Sequence, residues 1–494
     1  MAVAAPPRIQ AALVALVGWL AGACGDDRVP TPEQVAPAAD WIRPPVPKRH
    51  AVLIVIDTLR ADAVELAPTP HLDALAAGGQ VRRAWSGGTW TAPSMVSMFT
   101  GLPVRAHGWD FPFPRFMDEH RESYPPVPDH PTLGQVLDQA GFRTDGIVGN
   151  AFLRQGLGFE RGFDSWNRSG DRGMVDKVEE LVRGWDDDER HFLYVHFLGP
   201  HHPLRPSRRS SKEHNVRASL KNNKGVFSLW DAKGGRPIAA RNYRRAYKAV
   251  VQDSDRRVGA VLAALGAYRD DAAIIVTSDH GEMLGEHDQW GHEHFVWEQI
   301  TQVPFIAEGL GPLPDTLNTT AVPGLITSAL GVPHEWPDAG LQTAPIVSQR
   351  QGKVAMTVDG QIKGIWDPES FPDGGFAAFD LNADPYEEVP LAEAPDALIT
   401  AHADWQARVP LVQLQASGEG MSGDVLGMLE QLGYMGDEDG EADEADGTDD
   451  ADAGEEADDE ADDWGGGQAK AAPGAPEPTT PATPQPTDPA PKTP

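Results

Sequence analysis

The 494 residues carry 74 acidic against 41 basic side chains, a formal net charge of −33, and a single cysteine. One cysteine excludes a disulfide framework within the chain, and an acidic balance without any recognisable nucleic-acid-binding motif excludes a nucleic-acid partner. The length accommodates one large α/β domain with tails, because single cores stop growing at roughly 250 to 300 residues.

In chain order, residues 1–23 place Arg8 before the apolar stretch AALVALVGWLAGA, with Gly22 and Ala23 ahead of Cys24. This charged, apolar, small-residue order is that of a signal peptide, and the stretch is short for a membrane span. Small residues before a lone cysteine resemble a bacterial lipobox. The expectation is a lipidated Cys24, a Pro-rich tether over 24–48, and anchorage of the mature protein to the bacterial cell envelope.

The run AVLIVID (51–57) is β-branched and nearly continuous, as in a strand buried on both faces. TPHLDALAAGG predicts a short helix with Thr69 at its cap and Pro70 in its first turn. A helix then a strand follow in HPTLGQVLDQAGFRTDGIVGN, a strand in HFLYVHFLG (191–199), a long helix over 243–265, and a strand running into a polar loop in AAIIVTSDHGE (272–282). Such alternation predicts an α/β fold whose mostly parallel central sheet is flanked by helices. Segments 49–345 form the catalytic domain in this reading, and 346–436 a small C-terminal subdomain of the same fold.

Sites in sheets of this kind lie beyond the carboxyl ends of the strands. The polar residues there are Asp57, His201 with His202, and Asp279 with His280, so three strands bring metal-type ligands to one edge. TSDHGEMLGEHDQWGHEH is dense in histidine and carboxylate. Oxygen and imidazole donors together suit one divalent ion, Zn, Mn, Mg or Ca according to number and geometry.

The motifs VIDTLRAD, TPHLDALAAGG, TWTAPSMVSMFTGLPVRAHG, GFERGFDSW, FLYVHFLGPHHPL, TSDHGEMLGEHDQWGHEHFVWEQITQVPFI and AAFDLNADPYEEVPLAE run in order from about Val52 to Leu391. Together they resemble the successive landmarks of the sulfatase family, within the alkaline phosphatase superfamily, and LGYM at 432–435 is similar to a common ending of such chains. The resemblance implies a divalent metal and hydrolysis of an anionic ester. It also exposes departures. Sulfatases carry Cys-X-Pro-Ser-Arg, or Ser first, whose first residue becomes a formylglycine, whereas Thr91-Ala92-Pro93-Ser94-Met95 stands here. Asn150 occupies the lysine position of a Gly-Lys-Trp-His pattern, and Thr58 follows Asp57 where a second aspartate is usual.

A threonine at that place resembles the nucleophile of the superfamily's phosphodiesterases and phosphoethanolamine transferases. Thr91 opens a helix, where orphan N–H groups and the dipole favour an alkoxide and the anion it attacks, although a plain helix cap has the same residue preference. The expected site is Asp57, Thr91, Asp279 and His280 around one divalent ion, with Thr91 as nucleophile. By resemblance, His201 and His292 contact the non-bridging oxygens or protonate the leaving group.

Between Arg205 and Lys248 stand 13 Lys and Arg against Glu213 and Asp231. A local field of this kind concentrates anionic substrate. Residues 437–494, with 17 acids and no base from Asp437 to Asp463, then a stretch rich in Gly, Ala, Pro and Thr, read as a disordered tail. Two classes remain open at this level: a formylglycine-independent hydrolase or transferase of phosphate or sulfate esters, and a non-catalytic lipoprotein that keeps the fold for binding or envelope structure.

Overall fold

A computed structural model of the chain describes residues 44–111, 127–216, 237–292, 294–336 and 345–414. The signal-like segment, Cys24, most of the tether, the LGYM segment and the acidic tail lie outside the described residues.

Strand β1 (His50–Ile56) is buried along its whole length, as its unbroken apolar run requires. Around it lie β2 (Gln80–Trp85), β3 (Phe142–Val148), β4 (Ser165–Arg168), β5 (Arg190–Phe197), β6 (Ala272–Thr277), β9 (Gln302–Glu308) and β10 (Thr316–Asn318), with the short hairpin β7 (Met283–Leu284) and β8 (Trp290–Gly291) set apart. The eight long-sheet strands take the order β10-β2-β9-β6-β1-β5-β3-β4. β1 pairs in parallel with both β5 and β6, and β3 in parallel with β4 and β5; β9 is antiparallel to both its neighbours, β6 and β2. The mostly parallel sheet expected from the alternation of elements is therefore present.

Register decides which residues meet. Val55 lies beside His196 of β5 and beside Thr277 of β6. The three central strands thus run out at the same level, and the residues that follow them, Asp57, Leu198 and Ser278, open one shared edge. Asn150 follows β3 two residues beyond its end on that same side.

The helix Thr91–Thr100 lies entirely in the interior, all ten of its residues buried. Gly101 ends it in the left-handed conformation, φ 69°, and a Cβ there would stand 2.5 Å from the Trp336 ring, so both backbone and space demand glycine. Met95, Met98 and Phe99 pack into the main core with Phe152 and Tyr194. Burial of each such side chain contributes about 1.5 to 3 kcal/mol, which fixes the start of this helix against the sheet. The long helix Pro237–Ala264 covers the other side and meets the helices Pro70–Gly78 and Asp171–Arg183.

A second, four-stranded antiparallel sheet follows: β11 (Ile346–Arg350), β12 (Lys353–Val358), β13 (Ile362–Trp366) and β14 (Phe376–Asp380), with the helix Asp396–Arg408 packed on β12 and β13. It is joined to the main body through a buried ion cluster. Lys363 Nζ lies 2.9 Å from Glu298 Oε2 and 2.8 Å from Glu387 Oε1, and Trp85 Nε1 donates to Glu298 at 3.0 Å.

Candidate active site

The turn after β1 is unusual. Thr58 has φ 58°, a left-handed conformation that a β-branched residue adopts at a cost of about 1 to 3 kcal/mol. Three hydrogen bonds hold it there: Thr58 N donates to Asp279 Oδ1 at 3.3 Å, Thr58 Oγ1 donates to Asp57 O at 2.7 Å, and Tyr247 Oη donates to Thr58 O at 2.6 Å. Ser278 adds a second stitch, donating to Ile56 O at 2.5 Å and accepting from Leu59 N at 3.0 Å. The loops after β1 and β6 are therefore one unit, and Asp57 and Asp279 face each other across it.

Asp57, Thr91, Asp279 and His280 all have zero exposure. Asn150 Nδ2 donates to Asp57 Oδ2 at 2.6 Å and to Thr91 Oγ1 at 3.0 Å, while Thr91 Oγ1 donates to Asp57 Oδ2 at 3.4 Å. Asp57 Oδ2 is thus satisfied and its Oδ1 turns the other way. Asp279 is divided in the same manner: its Oδ1 accepts from Thr58 N and from His280 N, leaving Oδ2 pointing inward.

Four atoms converge with no hydrogen bond to another group among the described residues: Asp57 Oδ1, Asp279 Oδ2, His280 Nε2 and His196 Nε2. His280 Nε2 is 3.5 Å from Asp57 Oδ1 and 3.6 Å from Asp279 Oδ2, and His196 Nε2 is 3.6 Å from Asp279 Oδ2. Asp57, His196 and Asp279 present ligand atoms all within 4.8 Å of one another. The tautomer of His280 sharpens the point. Its Nδ1 lies 2.9 Å from Gly281 O, and since a carbonyl only accepts, Nδ1 carries the hydrogen and the neutral ring turns its Nε2 lone pair toward two carboxylates. A lone pair and two anionic oxygens repel unless a cation lies among them, so these residues fit a divalent ion.

The proton affinities follow the same logic. Burial pushes the Asp57 carboxyl well above the ordinary carboxylate range, and the charge of Asp279 pushes it the same way against the Asn150 hydrogen bond. Burial raises Asp279 too, but His280, His196 and His201 outweigh it and hold Asp279 down at about 2. Asp57 therefore holds a proton more tightly than Asp279 does. Burial lowers His280 below the usual imidazole value, against the pull of Asp279.

The two further histidines named from sequence join the group. The His292 ring centroid is 4.4 Å from that of His280 and 5.1 Å from that of His201. His292 Nδ1 lies 3.3 Å from Glu282 Oε1, which orients the ring, and His201 Nδ1 donates to His202 O. Burial first, then neighbouring imidazoles, take His292 well below the ordinary value. Burial also holds His201 at about 3, in spite of its bond to the His202 carbonyl. Both rings are thereby held in the neutral form at physiological pH.

The positions that depart from the family pattern have definite occupants. Met95 is fully buried beneath Tyr194, whose hydroxyl reaches its Sδ at 3.8 Å, and Asn150 spends its amide on Asp57 and Thr91. His196 was not among the expected ligands. Its signal was present, since HFLYVHFL puts an imidazole inside an otherwise apolar buried strand, but a buried strand histidine is more often a satisfied core residue. Of the basic segment, Arg205, Arg208, Arg209 and Lys212 are exposed just after the His201 loop in the chain, Arg241 is exposed on the long helix, and residues 217–236 lie outside the described residues.

The protein-family model described as Sulfatase matches residues 49–311, more than half of the chain. A choline-sulfatase of Rhizobium meliloti (strain 1021) is 30% identical over 282 residues, which cover 47% of this chain and 53% of that protein, so the chain spans about half the length of this relative. Among solved structures, a protein in complex with its substrate D-glucosamine-2-N,6-O-disulfate superposes with a TM-score of 0.57 at 16% identity, over 74% of this chain and 98% of that one. The phosphonate monoester hydrolase of Agrobacterium radiobacter superposes with a TM-score of 0.51 at 17% identity, over 73% and 94%. At these identities the structural matches establish the fold.

Proposed function

The chain belongs to the sulfatase family, and on that premise we propose that it is a divalent-metal-dependent hydrolase or transferase of phosphate or sulfate esters that uses Thr91 as nucleophile without a formylglycine. The observation that carries this reading is the placement of Thr91 Oγ1. It lies at the first turn of a buried helix, held between the Asn150 amide and the Asp57 carboxylate, beside the cluster of unpartnered acid and imidazole atoms.

Asp57, Asp279 and His280 would hold the cation together with His196, while Thr91 Oγ1, expected among the ligands, is hydrogen-bonded instead to Asp57 Oδ2 and Asn150 Nδ2; two carboxylates with two imidazoles suit Zn or Mn better than Ca or Mg, which favour oxygen donors throughout. When bound, such an ion supplies positive charge to the anionic ester and lowers the pKa of a nearby hydroxyl. The protein's own groups do the rest. Asn150 Nδ2 donates to Thr91 Oγ1 and Asp57 Oδ2 accepts its hydrogen, so the remaining lone pair has a fixed direction. In the attack the Thr91 proton passes to Asp57 Oδ2, Oγ1 forms a bond to phosphorus or sulfur, and the bond to the ester oxygen breaks. That leaving oxygen takes a proton from His292 or His201, whichever the anionic substrate has brought to the imidazolium form. Water, or an acceptor alcohol in a transferase, then displaces Oγ1, giving its proton to the histidine that protonated the leaving oxygen, while Oγ1 recovers its own proton from Asp57 Oδ2.

An anionic ester substrate is supported by the exposed arginines and lysine just after the His201 loop in the chain. The absence of guanidinium and ammonium at Met95 and Asn150 favours phosphate over sulfate by the usual sulfatase route. We place the protein at the bacterial envelope through Cys24, which Cys24→Ser tests by release into the soluble fraction. For the chemistry, the full chain loaded with Zn or Mn is assayed on aryl phosphate, aryl phosphodiester and aryl sulfate. Thr91→Ala is expected to abolish turnover with ion binding intact, and Thr91→Ser to retain a measurable fraction, because a primary hydroxyl fits the same helix start. Full activity of Thr91→Ala on every ester would reduce Thr91 to a cap. No turnover by the wild type on any of them would favour the second reading, a sulfatase-fold protein that binds without reacting.

A further inference from the structure

The long helix Pro237–Ala264 contributes none of the groups discussed as ligands or catalysts, yet one of its side chains reaches into the turn on which the ion site depends. Tyr247 is fully buried, and its hydroxyl makes two bonds to consecutive parts of that turn: it donates to Thr58 O at 2.6 Å and accepts from Arg60 N at 3.1 Å. Thr58, with φ 58°, is the residue between Asp57 and those two contacts.

We propose that Tyr247 is a positioning residue for the Asp57–Asp279 ion site, its hydroxyl pinning the left-handed turn at Thr58 from which both carboxylates take their direction. This rests on the reading of that site as a divalent-ion site. A β-branched residue in the left-handed region persists only where its surroundings over-determine it. At Thr58 the surroundings are few and identifiable. The Thr58 carbonyl is held by Tyr247, and the Thr58 N–H is spent on Asp279 Oδ1 at 3.3 Å. If the turn relaxes toward negative φ, that N–H swings off Asp279, and Asp57, joined to the same peptide, turns with it. The hydroxyl is thus coupled to one ligand through the chain and to the other through a hydrogen bond. Arg60 extends the anchor: its guanidinium bonds Asp62 at 2.7 and 2.8 Å, Glu286 at 2.7 Å and the Glu282 carbonyl at 3.1 Å, so the far end of the turn is already fixed to the loop after β6. Tyr247 fixes the near end, where the strain is.

The helix carries its own control. Tyr243, one turn earlier, is also buried, packs edge-on against Trp290, and has a hydroxyl without a hydrogen-bond partner among the described residues. Tyr247→Phe and Tyr243→Phe each delete one buried hydroxyl from the same helix. Calorimetric titration of Zn and of Mn into the metal-stripped full chain is expected to show Tyr247→Phe binding about 10- to 100-fold more weakly than wild type, the range found when outer-shell partners of metal ligands are removed, and Tyr243→Phe binding as wild type does. Amide hydrogen exchange at Arg60 in the metal-free protein should quicken in Tyr247→Phe alone. Equal affinities for wild type and Tyr247→Phe, or equal losses in the two variants, would overturn the proposal. Should the wild type bind neither ion, the ion site itself falls, and unchanged exchange at Arg60 would then overturn the pin independently.

Discussion

His196 brings its Nε2 to 3.6 Å from Asp279 Oδ2, and both side chains are closed to solvent, although one sits inside β5 and the other beyond the end of β6. The parallel register of β5, β1 and β6 makes the meeting possible, because Val55 of β1 has His196 on one side and Thr277 on the other. Neither nitrogen of His196 has a hydrogen-bond partner among the described residues, which is costly for a buried polar ring that serves only as packing. His196→Gln should therefore weaken Zn binding by at least about tenfold, no less than loss of an outer-shell partner does, while His196→Phe should raise the stability of the metal-stripped protein. Titration calorimetry and thermal melting read the two effects, and an unchanged Zn affinity in both variants would make His196 a core residue.

Asp57 supplies a prediction whose sign reverses with the ion. Its folded-state proton affinity is raised, by burial first and by Asp279 second. A raised group contributes stability that is present at low pH and lost as pH climbs from the unfolded carboxylate value toward the folded one. Asp57→Asn should consequently melt higher than wild type in chelator at neutral pH, and flatter with pH. In saturating Zn the order should invert, since ion binding to the native state alone stabilises it by mass action. Melting curves with and without chelator at two pH values decide the matter; a variant less stable in both conditions would contradict it.

His107 sets the acid limit. It is fully buried, accepts from Trp109 N through Nδ1 at 3.0 Å, and lies 3.0 Å from Ser97 Oγ through Nε2. Burial holds its pKa at about 3, with His130 adding to the depression. Protonation would set an N–H against the Trp109 N–H. Because the unfolded chain takes up the proton near pH 6.5 and the folded one only near 3, stability should fall as pH drops through that window. His107→Gln should remove about one proton from that slope in urea titrations run between pH 4 and 7. An identical slope would place the acid sensitivity in the other buried histidines.

The central part of the fold was legible in the sequence because β1, β5 and β6 are buried along nearly their whole length and read as apolar runs, and because a helix such as Pro70–Gly78 is bounded by residues that punctuate helices; β2, β4 and β10, polar and only partly buried, were not legible. Asp57, Asp279 and His280 were legible as the first carboxylate and imidazole residues after such runs. His196 was not, since nothing local separates an imidazole that faces two carboxylates from one that fills a core. Nor was Tyr247, whose part depends on a contact between a mid-helix residue and a turn 189 positions away. The left-handed Thr58 was hidden for a similar reason: propensity argues against it, and two of the three bonds that hold it come from Asp279 and Tyr247, far along the chain.

The ion cluster that joins the two sheets separates removal of a charge from removal of a partner. Lys363 is buried between Glu298 and Glu387. Burial, partly offset by Lys363, raises Glu387 to about 7. Lys363→Met would leave two buried carboxylates facing each other, a loss of about 3 to 5 kcal/mol. Glu387→Gln keeps the Lys363–Glu298 pair and should cost much less. Urea unfolding of the two variants is expected to differ in midpoint in that order, and equal midpoints would show that the cluster is not what joins the sheets.

Asn150 is where the chain departs from the family pattern and where the proposed chemistry is most exposed to test. One amide nitrogen serves both the acceptor Asp57 Oδ2 and the nucleophile Thr91 Oγ1, at 2.6 and 3.0 Å, while its oxygen caps the turn at Phe152 N at 2.9 Å. Asn150→Asp keeps the cap and replaces the donor by an acceptor beside Asp57, which adds repulsion at the point where the hydroxyl must be oriented. Asn150→Ala removes cap and donor together. If Thr91 attacks, both should lower kcat on the aryl phosphate or phosphodiester that the wild type turns over, by about two to three orders of magnitude as loss of one well-placed donor does elsewhere. KM should change far less, because the amide touches the nucleophile and not the bound ester. Asn150→Ala should also melt lower for want of its cap, whereas Asn150→Asp, losing activity with the cap intact, separates catalysis from stability. A kcat unchanged in Asn150→Asp would mean that Thr91 needs no orienting donor, and with that the assignment of Thr91 as nucleophile loses its geometric support.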